Sequence, residues 1–223
     1  MLEVIRPRWQ SCIVAAPGPS LALAVEKVAC SGLPTIVVQD AWRLLPAAEV
    51  LYGCEGAWWQ LYKGVPEFKG EKWASHSAHE GVADDKRQES RDYKLHLIAG
   101  DTAEGFSFDP SRIHYGDNSG FQAVNLALLF GCTHIILVGF DMRRVDGRAH
   151  FFGEHPQQLN RGTQYERFAK HFERSAKLLP AGIRIINATP GSALTCFPMM
   201  DLDDAFRDRD LHCNGAVTHA AAG

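Results

Sequence analysis

The chain has 223 residues, 46% of them hydrophobic, and a formal net charge of −3 with its ten histidines neutral. That is enough apolar material for one substantial core, and the near-neutral charge argues against a general nucleic-acid binder. No apolar run of about 18 residues exists to cross a membrane as a helix. The amino terminus, MLEVIRPRWQ, lacks the apolar core of a secretion signal, so the cytoplasm is the expected location. The six cysteines (Cys12, Cys30, Cys54, Cys132, Cys196, Cys213) form no CxxC pair and no disulfide framework. They read as buried, reduced thiols packed as small hydrophobes.

The first predicted element is the short apolar strand SCIVAAP (11–17), followed by a GPS turn and the helical stretch LALAVEKVACSG. Leu21, Ala24, Val25 and Val28 recur at helical spacing, with Ser20 placed to cap the start and Gly32 to end it. PTIVVQD (34–40) is a second apolar strand, so the opening is a strand–turn–helix–strand unit of about 30 residues, the size of a βαβ crossover. AEVLYG (48–53) is a third short strand, and Trp58, Trp59 and Tyr62 put an aromatic face on a helix or turn. The two tryptophans suit core packing better than stacking on a base.

Residues 64–112 are polar and mixed, with one clear strand in YKLHLIAG (93–100) and the charge run ADDKRQESRDYK. They are expected to be a loop-rich insertion or edge. SGFQAVNLALLFGCTHIILVGFDM (119–142) restores the rhythm: a helix opened by Ser-Gly, then an apolar strand delivering Asp141 just past its end. After a polar loop, the helix TQYERFAKHFERSAKLLPAG (163–182) places Tyr165, Phe168, Phe172, Ala176 and Leu179 on one face. IRIINATP (183–190) is the last strand. Past about residue 200 only DLDDAF shows amphipathic character, and 201–223 is expected to be a fraying tail. Strands alternating with helices imply one α/β, Rossmann-like domain over 1–200: a three-layer, mostly parallel sheet with right-handed crossovers and the loop-rich insertion at about 64–112.

In such a sheet the strand ends PGPS (17–20), QD (39–40), GFDM (139–142) and NATPGS (187–192) converge on the ligand-binding edge. Helix starts at Ser20 and at Ser119–Gly120 aim free N–H groups there, which favours phosphate, and Gly18 and Gly120 permit close backbone approach. Neither a Walker A nor a GxGxxG motif is present. His150 and His155, in HFFGEHP, are candidate general bases. Arg143, Arg144 and Arg148 are candidate clamps for an anionic group. Asp141, His150 and His155 match no zinc spacing, so no metal is assigned to them; His76, His79, His96, His114 and His171 read as incidental, and His134 as a satisfied structural residue.

CIVAAPGPSLA resembles the opening strand and glycine-rich loop shared by bacterial sialyltransferases that use CMP-sialic acid and by 6-hydroxymethylpterin pyrophosphokinase-like, or motility-accessory, glycosyltransferases. NSGFQAVNLALLFGCTHIILVGFDM resembles their second signature, and with NATPGSAL and FPMMDLDDAF the layout is similar to phage and prophage proteins carrying both. Two positions depart from the pattern: Pro17 stands where asparagine usually precedes Gly-Pro-Ser, and Asp40 where asparagine follows the second strand. The resemblance implies that Gly18, Pro19 and Ser20 border nucleotide phosphates, that Ser119 and Gly120 contact the nucleotide or donor sugar, and that Gly139, Phe140 and Asp141 line its pocket. It implies a histidine base, for which His150 and His155 are both candidates.

Three functions are open at this point. One is a glycosyltransferase-like transferase for a nucleotide or nucleotide-sugar, with Asp141 on a hydroxyl and Asp40 and Arg143 in the nucleotide site. The second is an ATP-dependent diphosphotransferase needing Mg2+, with Asp141 and Asp40 as ligands. The third is a non-catalytic phage module that binds a nucleotide. The expected partner is a small molecule, with no membrane or nucleic acid; donor, acceptor and oligomeric state are not legible.

Overall fold

The computed structural model describes residues 2–77, 91–159, 162 and 164–219, with backbone alone for 158 and 211–219. Eight strands form one fully parallel sheet: β1 (Ser11–Ala15), β2 (Thr35–Val38), β3 (Val50–Tyr52), β4 (Glu71–Ser77), β5 (Leu95–Asp101), β6 (Arg112–His114), β7 (His134–Val138) and β8 (Arg184–Asn187). The helices are α1 (Leu21–Cys30), α2 (Gly56–Leu61), α3 (Ser119–Leu129), α4 (Tyr165–Lys177) and α5 (Leu202–His219). The strand order is β6-β5-β4-β3-β2-β1-β7-β8. The chain therefore steps outward from β1 to β6, crosses back, and adds β7 on the other side of β1. The order reverses between β1 and β7, where Val14 pairs with Leu137 and Ala15 with Val138.

Alternation along the central strands builds two cores. Cys12, Val14, Ile36 and Val38 face a layer with Phe121 and Val124 of α3 and Phe172 of α4. Ile13, Ala15 and Val37 face a layer with Leu21 and Val28 of α1, Trp58 and Trp59 of α2, and Leu202 and Ala205 of α5. Both sheet faces are covered, which is why β1, β2 and β7 are nearly unbroken apolar runs. This is the Rossmann-like three-layer architecture expected from the sequence.

Two stretches differ from expectation. Residues 64–112 supply two strands, β4 and β5, and the start of a third, β6, where one was foreseen. These strands lie toward one edge of the sheet, and β4 and β6 set buried Trp73 and Ile113 beside polar residues such as Lys72 and Arg112, so no continuous apolar run marks those two. His79 and most of the charge run fall in 78–90, outside the described residues. The expected tail is instead largely the helix α5, pinned at three points. Lys27 Nζ pairs with Asp203 Oδ2 at 2.6 Å, Arg184 clasps Asp208 with two bonds at 2.6 and 2.8 Å, and the buried His134 meets Asp208 at 3.0 Å. Of the cysteines, Cys12 and Cys132 are buried, Cys54 and Cys196 half-buried, and Cys30 exposed; burial was thus overestimated for Cys30, which lies on the outer side of α1. No helix among the described residues is long and apolar enough to cross a membrane.

Candidate functional site

The carboxyl ends of β1 and β7 run on together past the sheet. Ala16 N donates to Val138 O at 2.9 Å and Gly18 N to Gly139 O at 3.0 Å. A Cβ on Gly18 would sit 2.1 Å from Asp141 Oδ2 and 2.3 Å from Gly139 O, and one on Gly139 would sit 2.1 Å from Ala16 O. Both glycines are therefore required by the close approach of the two strand ends, and Gly139 also takes a left-handed φ of 70°.

Opposite Asp141 lies Ser20. The Ser20 hydroxyl donates to Asp141 Oδ2 at 2.8 Å, and the Ser20 amide reaches the same oxygen at 3.3 Å. The protein's own carboxylate thus occupies the start of α1, where the sequence suggested a phosphate. Asp141 Oδ1 is buried with no hydrogen-bond partner. Burial pushes the carboxyl above the usual aspartate range, against the lowering effect of the Ser20 donors.

The start of α3 is arranged differently. Asn118 caps it, its Oδ1 accepting from Phe121 N at 2.8 Å. No hydrogen bond is made by the amides of Ser119 and Gly120 within the described residues. Just before the cap, Asp117 (φ 60°) receives Arg167 Nη2 at 2.6 Å and His171 Nε2 at 2.8 Å, tying the turn to α4. His171, expected to be incidental, is a structural tether.

The histidine loop folds over β1, with Phe151 N donating to Pro17 O at 3.0 Å. His150 stacks on Phe152 with ring centroids 5.0 Å apart and lies 4.4 Å from the His155 ring. Burial first, and the neighbouring His155 second, lower the His150 pKa from 6.5 to about 4, leaving a neutral imidazole at physiological pH. The Nδ1 atoms of both rings are buried and have no hydrogen-bond partner.

These pieces enclose a cavity of about 420 Å3 at the β1–β7 crevice. Of the candidate residues, Gly18, Ser119, Gly120, Gly139, Phe140, Asp141, His150 and His155 line it. Pro19, Ser20, Asp40 and Arg143 do not. Ser20 is taken up by Asp141, Asp40 is fully buried between Arg43 (2.8 Å) and Trp58 Nε1 (2.8 Å), and Arg143 Nε donates to Gly191 O at 2.7 Å. Arg144 is bonded to Glu154 and Arg148 is exposed; both lie outside the lining. With Asp40 held apart, it does not join Asp141 as a pair of metal ligands. No group of three His, Cys, Asp or Glu side chains suited to a metal occurs among the described residues.

The lining also includes Gln39, Cys54, Glu55, Asp117, Asn118 and Arg167, which sequence reasoning did not select. Gln39 Nε2 donates to Glu55 Oε2 at 3.1 Å, and Cys54 N to Ser119 Oγ at 3.1 Å. Gln39 (φ 44°), Asp117 (φ 60°) and Met142 (φ 51°) are three of the seven non-glycine residues with positive φ among those described, and all three border this cavity. Such strain concentrates at functional sites. Gln39 and Asn118 carried weak signals, as a polar residue closing an apolar strand and as an asparagine just before a helix. Arg167, on a helix distant in sequence, carried none.

No family model matches the chain, and no curated protein matches it. Among solved structures, it is similar to the MAf glycosyltransferase from Magnetospirillum magneticum AMB-1, with a TM-score of 0.62 and 13% sequence identity. The likeness covers 94% of this chain and 38% of that one, so the chain spans well under half the length of this neighbour. At that identity the likeness concerns the fold.

Proposed function

We propose that the chain is a glycosyltransferase-like transferase that takes a nucleotide or nucleotide-sugar in the β1–β7 crevice. The observation carrying this reading is the cavity itself. It sits where the strand order reverses, the position at which open α/β sheets bind ligands, and it gathers an open helix start and two half-buried imidazoles at one edge. The similarity in fold to a glycosyltransferase supports the same reading.

The donor phosphates lie over α3, where the Ser119 and Gly120 amides are available, and not over α1, whose start Asp141 already fills. Arg167, paired with Asp117 beside that position, is the arginine lining the crevice, whereas Arg143, Arg144 and Arg148 lie outside it. In the transfer, an acceptor hydroxyl oxygen bonds to the anomeric carbon as the bond from that carbon to the donor phosphate breaks. The bonding pair leaves on the phosphate, and a histidine of the loop, His150 or His155, takes the hydroxyl proton. Isothermal titration with CMP, UDP, GDP and ADP, free and sugar-linked, tests the reading. Binding of at least one of them supports it, and absence of binding by all of them overturns it. Binding with no transfer to any acceptor would identify a non-catalytic nucleotide-binding module.

A further inference from the structure

At the opposite, amino-terminal edge of the sheet, a groove of about 850 Å3 is lined by Lys63, Lys69, Lys72 and Lys94, with Phe68 and Tyr93 beside them. Of the carboxylates on its rim, Glu71 is neutralised by an arginine, while Glu49 is held by a backbone amide and keeps its charge. Glu49 Oε2 accepts from Thr35 N at 2.7 Å. Glu71 receives both terminal nitrogens of Arg8, at 2.6 and 2.8 Å, and Trp73 Nε1 at 2.8 Å. Asp92 is likewise engaged.

The lysines are not matched in this way. None of the four makes an ion pair among the described residues. Lys72 is only 9% exposed, and its Nζ has a single acceptor, Gly64 O at 2.7 Å. Burial and the neighbouring Lys94 lower its pKa, the expected penalty for like charges held together without a counterion. Lys63 (φ 50°) and Lys94 (φ 56°) are both in the left-handed region, so the backbone adopts a costly conformation at two of the four cations. Around the buried Lys72, Lys63, Lys69 and Lys94 are exposed, and with Glu71 turned to Arg8 the groove keeps more cationic than anionic groups.

We propose that this groove binds clustered phosphate groups, as a second site separate from the crevice and independent of the function assigned to it. Lysine ammonium groups act here as point charges, suited to several phosphates close together more than to one planar carboxylate. The test uses the whole chain and two probes: inorganic tripolyphosphate, and vesicles of phosphatidylcholine with and without phosphatidylinositol bisphosphate. The comparison is with Lys63→Asn/Lys94→Asn, because asparagine tolerates the left-handed backbone. Wild type is expected to bind one or both probes, more weakly as salt rises, and the double variant to bind about tenfold or more weakly. Lys69→Gln, a change at an exposed side chain, is expected to weaken binding in the same direction. Response to tripolyphosphate identifies a free oligophosphate as the ligand, and response confined to the phosphoinositide vesicles a lipid headgroup. No binding of either probe by wild type, or equal binding by the double variant with its circular dichroism unchanged, overturns the proposal.

Discussion

At His150 the environment sets the chemistry. The unfolded imidazole takes a proton near pH 6.5, the folded one only near about 4, with burial the main cause. Between those values the unfolded chain binds more protons, so stability falls as pH drops from about 6.5 to about 4 and is insensitive to this group above that window. The loss amounts to about 2–3 kcal/mol. Urea melts across that range should show it, and His150→Gln should remove its share. Asp40 presents the converse case, a buried acid whose partners are structural. Asp40→Asn is expected to cost about 1–3 kcal/mol through the weakened Arg43 and Trp58 contacts, while leaving nucleotide affinity unchanged in a titration. At this scale the sequence was informative about which residue types meet at the edge and poor about which atoms are free. The motif PGPS reads as a phosphate loop until Asp141 is seen against Ser20. Nothing in the local sequence says that residue 141 closes onto residue 20, because that contact depends on β7 lying next to β1.

Among the elements, α1 and α3 show how two similar helix starts differ in use. Asp141 reaches across from β7 to the first, and Asn118 caps the second while leaving the Ser119 and Gly120 amides open. Elements buried on both sides, such as β1, β2, β7 and α3, were legible because their apolar pattern is continuous. The interior strand β4 and the edge strand β6 were not, since both mix polar and apolar residues and so resemble loops in sequence. Most of α5 was missed for a related reason: it is held by the charged contacts Lys27–Asp203 and Arg184–Asp208–His134, and these pairings between distant residues leave no periodic trace. Arg184 holds the Asp208 carboxyl below the usual aspartate range, His134 adding to it. Asp208→Asn should therefore cost about 1.5–3 kcal/mol. Hydrogen exchange should speed up first in α5 and at the outer strand β8, ahead of β1 and β2.

For the whole molecule, the decisive feature is the strand order. Alternating strands and helices were enough to foresee a parallel three-layer sheet. They did not reveal that the strand order reverses between β1 and β7, which is what turns scattered strand ends into one crevice. The glycosyltransferase similar to it in fold is considerably longer, and the likeness covers 38% of that protein. The most direct test is amide chemical-shift mapping by NMR, with the nucleotides of the titration panel added in turn to the isotope-labelled protein. Saturable shifts are expected at Ser119, Gly120, Gly139 and His150. Shifts absent from those four amides, or confined to the lysine groove around Lys63 and Lys94, would contradict nucleotide binding in the crevice.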